Sequence, residues 1–109
     1  MNARVDAGTG LVADGSAQVR RRMIVTGRVQ GVGYRYAVVM AARRIGGVSG
    51  WVRNRYDGTV ECEAQGTCER LDELEARMRV GSQWSRVEGI AVEDVPALDG
   101  PQPPFTVRR

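Results

Sequence analysis

The chain has 109 residues, 42% of them hydrophobic, which fits one globular domain. Its net charge is +3, and all 16 basic residues are arginine, with no lysine or histidine anywhere. Those absences exclude lysine Schiff bases, lysine-dependent phosphate loops, Ser-His and Cys-His nucleophile pairs and imidazole metal ligands.

Two cysteines, Cys62 and Cys68, are too few for a disulfide framework or a zinc site, and both read as small buried apolar residues. No apolar run approaches the roughly 20 residues that span a bilayer, and the N-terminus lacks the apolar stretch of a secretory signal. A cytoplasmic protein with no membrane partner is expected.

Residues 1–19 are rich in Gly, Ala, Asp and Ser without sustained periodicity. They predict a flexible tail before a domain over residues 20–109. Arg21 to Val29 reads as the first strand. Tyr34 to Ile45 reads as a helix, with Tyr34, Val38, Ala41 and Ile45 on one face and Gly46-Gly47 ending it. Val48 to Asn54 is the second strand, and Tyr56-Asp57-Gly58 the turn after it.

Thr59 to Gln65 alternates, with Val60, Cys62 and Ala64 inward and Glu61 and Glu63 outward, so it is a half-buried third strand broken by Gly66. Thr67 caps a second helix that runs to Val80, with Leu71, Leu74 and Met78 as its apolar stripe. Val87 to Val95 is the fourth strand. A proline-rich connection, Pro101 to Pro104, leads to a short last strand, Phe105 to Val107. The order is β-α-β-β-α-β plus a terminal strand. This predicts an α+β, ferredoxin-like split βαβ fold: one antiparallel sheet with two helices on one face.

The densest chemical signal is Gly27-Arg28-Val29-Gln30-Gly31-Val32-Gly33-Tyr34-Arg35, between the first strand and the first helix. Glycines ahead of a helix N-terminus leave backbone N–H groups free to converge, which makes an anion cradle. Arg35 adds a planar cation suited to a bidentate grip on phosphate. The loop is not a dinucleotide fingerprint, because the third glycine is replaced by Tyr36. It lacks the Gly-Lys-Ser/Thr ending of a Walker loop and the nucleophile of a cysteine phosphatase. Read from residue types alone, it is either such a cradle or only a tight turn. In a β-α-β crossover the two strands are parallel, so Arg35 and Asn54 lie at the same sheet edge, roughly 9–10 Å apart in backbone if the third strand lies between them. A neutral amide there can hold a water without adding charge.

The loop motif, followed by Gly50-Trp51-Val52-Arg53-Asn54 and then Asp57-Gly58-Thr59-Val60, resembles the acylphosphatase family over about residues 20–109. The resemblance implies hydrolysis of carboxyl-phosphate anhydrides to carboxylate and inorganic phosphate. It implies Arg35 as the phosphate-binding cation and Asn54 as the residue that positions the attacking water. The amides of Gln30, Gly31, Val32, Gly33 and Tyr34 would cradle the phosphate. It further implies no metal, no cofactor and no covalent phosphoenzyme, and inorganic phosphate or sulfate as a ligand. A monomer is expected, and the end of the chain, Arg109, is placed near Arg35.

Two other classes fit the fold. A nucleic-acid module is permitted by the basic pI, but the outward Glu61 and Glu63 stand where an RNA-binding sheet carries aromatics. A phosphate-sensing domain without turnover would have no use for Asn54. No nucleic-acid partner is therefore expected.

Overall fold

The structure is a computed structural model and describes residues 17–109. Its elements run β1 (Gln18–Arg28), α1 (Tyr34–Ile45), β2 (Ser49–Asn54), β3 (Val60–Thr67), α2 (Cys68–Val80), β4 (Arg86–Val95) and β5 (Thr106–Val107). The strands form one sheet in the order β4-β1-β3-β2-β5. β3 therefore lies between β1 and β2, the arrangement the split βαβ order predicts.

The hydrophobic alternation sets the register. Met23 of β1 stands opposite Cys62 of β3, and Cys62 opposite Val52 of β2, so one row of buried side chains crosses three strands. Val25 and Val60 make the next row. Tyr34, Val38, Val39 and Ala42 of α1 and Leu71, Leu74 and Met78 of α2 close over this face and complete the core. The Thr67 hydroxyl accepts a hydrogen bond from the Arg70 N–H at 3.2 Å, which caps α2.

The other face of the sheet is polar. Glu61 accepts hydrogen bonds from Arg22 and Arg53, and Arg20 reaches Glu63 at 2.7 Å and Gln65 at 3.2 Å. Glu61 thus faces outward yet is only 6% exposed, because arginines from both neighbouring strands cover it. Burial pushes the Glu61 carboxyl up. The hydrogen bonds and charges of Arg22 and Arg53 outweigh that and hold it below the usual carboxylate range.

Four points differ from the sequence reading. β1 starts at Gln18, which pairs with Thr67, so Gln18 and Val19 belong to the sheet; residues 1–16 of the expected tail lie outside the described residues. Gly66 does not break β3 but continues it, opposite Val19. A Cβ there would stand 2.9 Å from the Gly47 carbonyl oxygen, so close approach rather than a turn calls for glycine.

The sheet is mixed rather than wholly antiparallel. β5 runs parallel to β2, because the connection from β4 carries the chain to the outer edge of β2 at its Ser49 end. Finally, Cys62 is buried, but Cys68 is exposed at the start of α2, with its sulfur 3.1 Å from an Arg21 nitrogen.

Candidate active site

β1 ends at Arg28 and α1 begins at Tyr34, which leaves a five-residue loop to turn the chain. Gly31 and Gly33 take φ of 73° and 76°, left-handed values that a side chain would oppose. A Cβ at either would meet no atom within 4 Å, so the backbone angle alone requires glycine. Gly33 is also the N-cap of α1, with no side-chain cap, and its carbonyl accepts the helix's first bond from Ala37. Among the described residues, the N–H groups of Gln30, Gly31, Val32, Gly33 and Tyr34 have no acceptor. Such a run of free donors at a helix N-terminus suits a negatively charged group.

Three side chains fix the loop. Gln30 donates its side-chain amide hydrogens to the carbonyls of Arg55 and Thr59, across the β2–β3 turn. The Ser82 hydroxyl donates to the Val32 carbonyl at 2.6 Å. Tyr34 is buried and donates its hydroxyl to the Met78 carbonyl at 2.9 Å; burial also raises its pKa, so it remains a neutral donor. The loop is thereby tied to β2–β3 on one side and to α2 on the other.

A cleft of about 180 Å³ opens at this point, lined by Val29, Gly31, Gly33, Tyr34, Arg35, Tyr36 and Asn54. It brings Arg35 from α1 and Asn54 from the end of β2 to one place. Arg35 is half-buried and forms no ion pair among the described residues. No ion pair or hydrogen bond joins it to Arg109 among the described residues. Asn54 is half-buried as well, but its side-chain oxygen is fully buried and has no hydrogen-bond partner. An unpartnered buried acceptor costs about 1–3 kcal/mol, so the fold keeps Asn54 beside the cleft at some cost to its stability.

The carboxylates nearby are engaged elsewhere. Asp57 accepts from the Thr59 hydroxyl and N–H, and these bonds hold its carboxyl below the usual range. Among the described residues no three His, Cys, Asp or Glu side chains gather as metal ligands.

Sequence reading missed the side chain of Gln30, whose amide spans to the turn beyond Asn54. Arg43 donates to the Phe105 carbonyl, Arg53 pairs with Glu61 and Arg55 lies 3.6 Å from Asp57. Trp51 has the Arg108 guanidinium over its ring, 4.3 Å from the centroid. No helix of the described residues is long and apolar enough to cross a membrane.

A family profile described as Acylphosphatase matches residues 21–103. The chain is 48% identical over 91 residues to an acylphosphatase of Bifidobacterium longum, covering 84% of this chain and 93% of that one. It is 49% identical over 79 residues to an acylphosphatase of Bacillus licheniformis, covering 72% and 87%. Its fold superposes on the crystal structure of acylphosphatase from Bacillus subtilis with a TM-score of 0.77 at 40% identity, covering 84% of this chain and 99% of that one. The chain belongs to the acylphosphatase family.

Proposed function

We propose that this acylphosphatase works by a phosphate cradle and a positioned water, supplied by the loop amides, Arg35 and Asn54. The reaction is hydrolysis of a carboxyl-phosphate anhydride to a carboxylate and inorganic phosphate. The amides of Gln30, Gly31, Val32, Gly33 and Tyr34, with the Arg35 guanidinium, hold the phosphoryl oxygens and stabilise the charge that grows on them. The Asn54 side-chain amide, which lines the cleft, hydrogen-bonds the water and aims it at phosphorus. The observation that carries the reading is an amide left unpaired within the fold, on a residue that lines the same cleft as Arg35 and the loop glycines.

The water oxygen bonds to phosphorus as the bond from phosphorus to the carboxyl oxygen breaks. The carboxylate leaves with the bonding pair, and the water's proton passes to a phosphoryl oxygen. A carboxylate is a good leaving group, so positioning and charge stabilisation carry the step without a side-chain nucleophile. The seven residues around the cleft include no carboxylate, which fits a proton that stays with the phosphate. The enzyme acts as a cytoplasmic monomer, without metal or cofactor, and has inorganic phosphate and sulfate as competing ligands.

The test is steady-state hydrolysis of acetyl phosphate with excess chelator present. The reading expects an unchanged rate and competitive inhibition by phosphate. Loss of activity with rescue by a divalent ion, or no inhibition at millimolar phosphate, would overturn it.

A further inference from the structure

The cleft's volume of about 180 Å³ lies below the roughly 300 Å³ at which pockets begin to enclose a whole small-molecule ligand. It fits a phosphoryl group and its water. The acyl group attached to that phosphate must therefore lie over the rim.

The rim carries free aromatic surface. Tyr36 lines the cleft beside Arg35, yet 69% of its surface is exposed. Its companion in the same helical turn, Tyr34, is 1% exposed and has its hydroxyl bonded to Met78. One tyrosine is thus core and the other is not. A second free ring, Tyr56, stands two residues beyond Asn54 in the turn between β2 and β3, and is fully exposed. Among the described residues the side chain of neither Tyr36 nor Tyr56 makes a hydrogen bond or a cation–π contact. Their rings contribute nothing visible to the fold.

We infer that Tyr36, assisted by Tyr56, is a platform for the acyl group and makes the enzyme favour flat, apolar acyl phosphates, aromatic ones above all, over small ones. This rests on the cradle-and-water reading above. A tyrosine ring offers a large rigid face with little entropy to lose, and an aromatic pair gains by offset stacking. The face lies outside the phosphate site, so it adds affinity for the acyl end without altering the reacting centre. An acetyl group is too small to cover it.

The test compares benzoyl phosphate with acetyl phosphate in the wild type, Tyr36→Ala, Tyr36→Phe and the double variant Tyr36→Ala/Tyr56→Ala. The ratio of kcat/KM for benzoyl to acetyl phosphate should fall about 3- to 10-fold in Tyr36→Ala, the scale of one lost aromatic pairing. The loss should sit in KM, and Tyr36→Phe should keep the wild-type ratio. The Ki of inorganic phosphate, which has no acyl group, should stay the same throughout and shows that the cleft is intact. An unchanged ratio in both the single and double alanine variants would overturn the proposal. So would an equal loss on both substrates with a raised phosphate Ki, because the ring would then serve the phosphoryl end. If the wild type hydrolyses neither substrate, the proposed function itself fails, a result distinct from a lost preference.

Discussion

The side-chain nitrogen of Gln30 lies 2.8 Å from the carbonyl oxygen of Thr59, and its other hydrogen goes to the carbonyl of Arg55. One amide group therefore clamps the glycine loop to both sides of the turn that follows Asn54. The distance between the loop amides and Asn54 depends on that clamp. Gln30→Ala should lower kcat about 10-fold or more while changing phosphate Ki less, because the loop glycines and Arg35 remain. Gln30→Glu should be worse than alanine, since a carboxylate has no hydrogen to give and faces two carbonyls. Steady-state kinetics on both variants, with circular dichroism as the folding control, check this.

Arg35 forms no ion pair among the described residues, so its charge is free for a ligand. Arg35→Ala should raise phosphate Ki about 10- to 100-fold, the scale of one lost charge-assisted hydrogen bond or more. It should lower kcat as well, because the contact persists into the transition state. Arg35→Lys should recover little, as an ammonium lacks the planar fork. Inhibition constants and kcat for the two variants, measured together, give the comparison.

The polar face of the sheet predicts an acid limit to stability. Glu61 is held below its ordinary value of 4.5 by Arg22 and Arg53. A carboxyl with a depressed folded value stabilises the fold fully above the unfolded value and loses that contribution as pH falls through the folded one. Thermal midpoints should thus be flat above about pH 5 and fall below about pH 4.5. Glu61→Gln should cost about 1–3 kcal/mol at pH 7, moderated because both arginines remain about a third exposed to water. The gap between the two proteins should close as pH drops. Thermal melts from pH 3 to 7 on both would show it.

The start of the domain can be located by trimming. Gln18 and Val19 pair with Thr67 and Gly66, and Val19 packs against the core. Removing residues 1–16, whose composition cannot build a core, should leave the melting temperature within a few degrees and the activity intact. Removing residues 1–19 should cost a further 1–2 kcal/mol or so, through two lost strand pairs and a partly buried valine. Melting curves of the two shortened chains measure the difference.

Much of this was legible in the residues, for physical reasons that differ by element. Period-two and helical apolar patterns placed β1, α1, β2, β3 and α2 to within a few residues, because one buried face dictates each. The alternation of Glu61 with Val60 and Cys62 gave its face correctly. It could not show that Arg22 and Arg53 would cover it, since those come from other strands. Gly66 looked like a break because the Gly47 carbonyl that excludes a side chain there is 19 positions away in sequence. The direction of β5 depends on where a long connection lands, which two residues of strand cannot encode. At the site, glycine spacing and Arg35 were readable locally. The bonds of Gln30, to partners 25 and 29 residues on, and the orphaned oxygen of Asn54 exist only once the strands are paired.

The central claim is that Asn54 holds the attacking water and nothing else. Asn54→Ala removes the unpartnered oxygen, and the cradle of amides and Arg35 stays in place. The most direct measurement is kcat for acetyl phosphate together with Ki for inorganic phosphate in this variant, with circular dichroism to confirm folding. In this variant kcat should fall about 100-fold or more, the scale of losing one preorganised polar group, while Ki stays close to the wild-type value. A folded Asn54→Ala enzyme with near wild-type kcat, or one whose phosphate affinity falls along with its rate, would contradict the central claim.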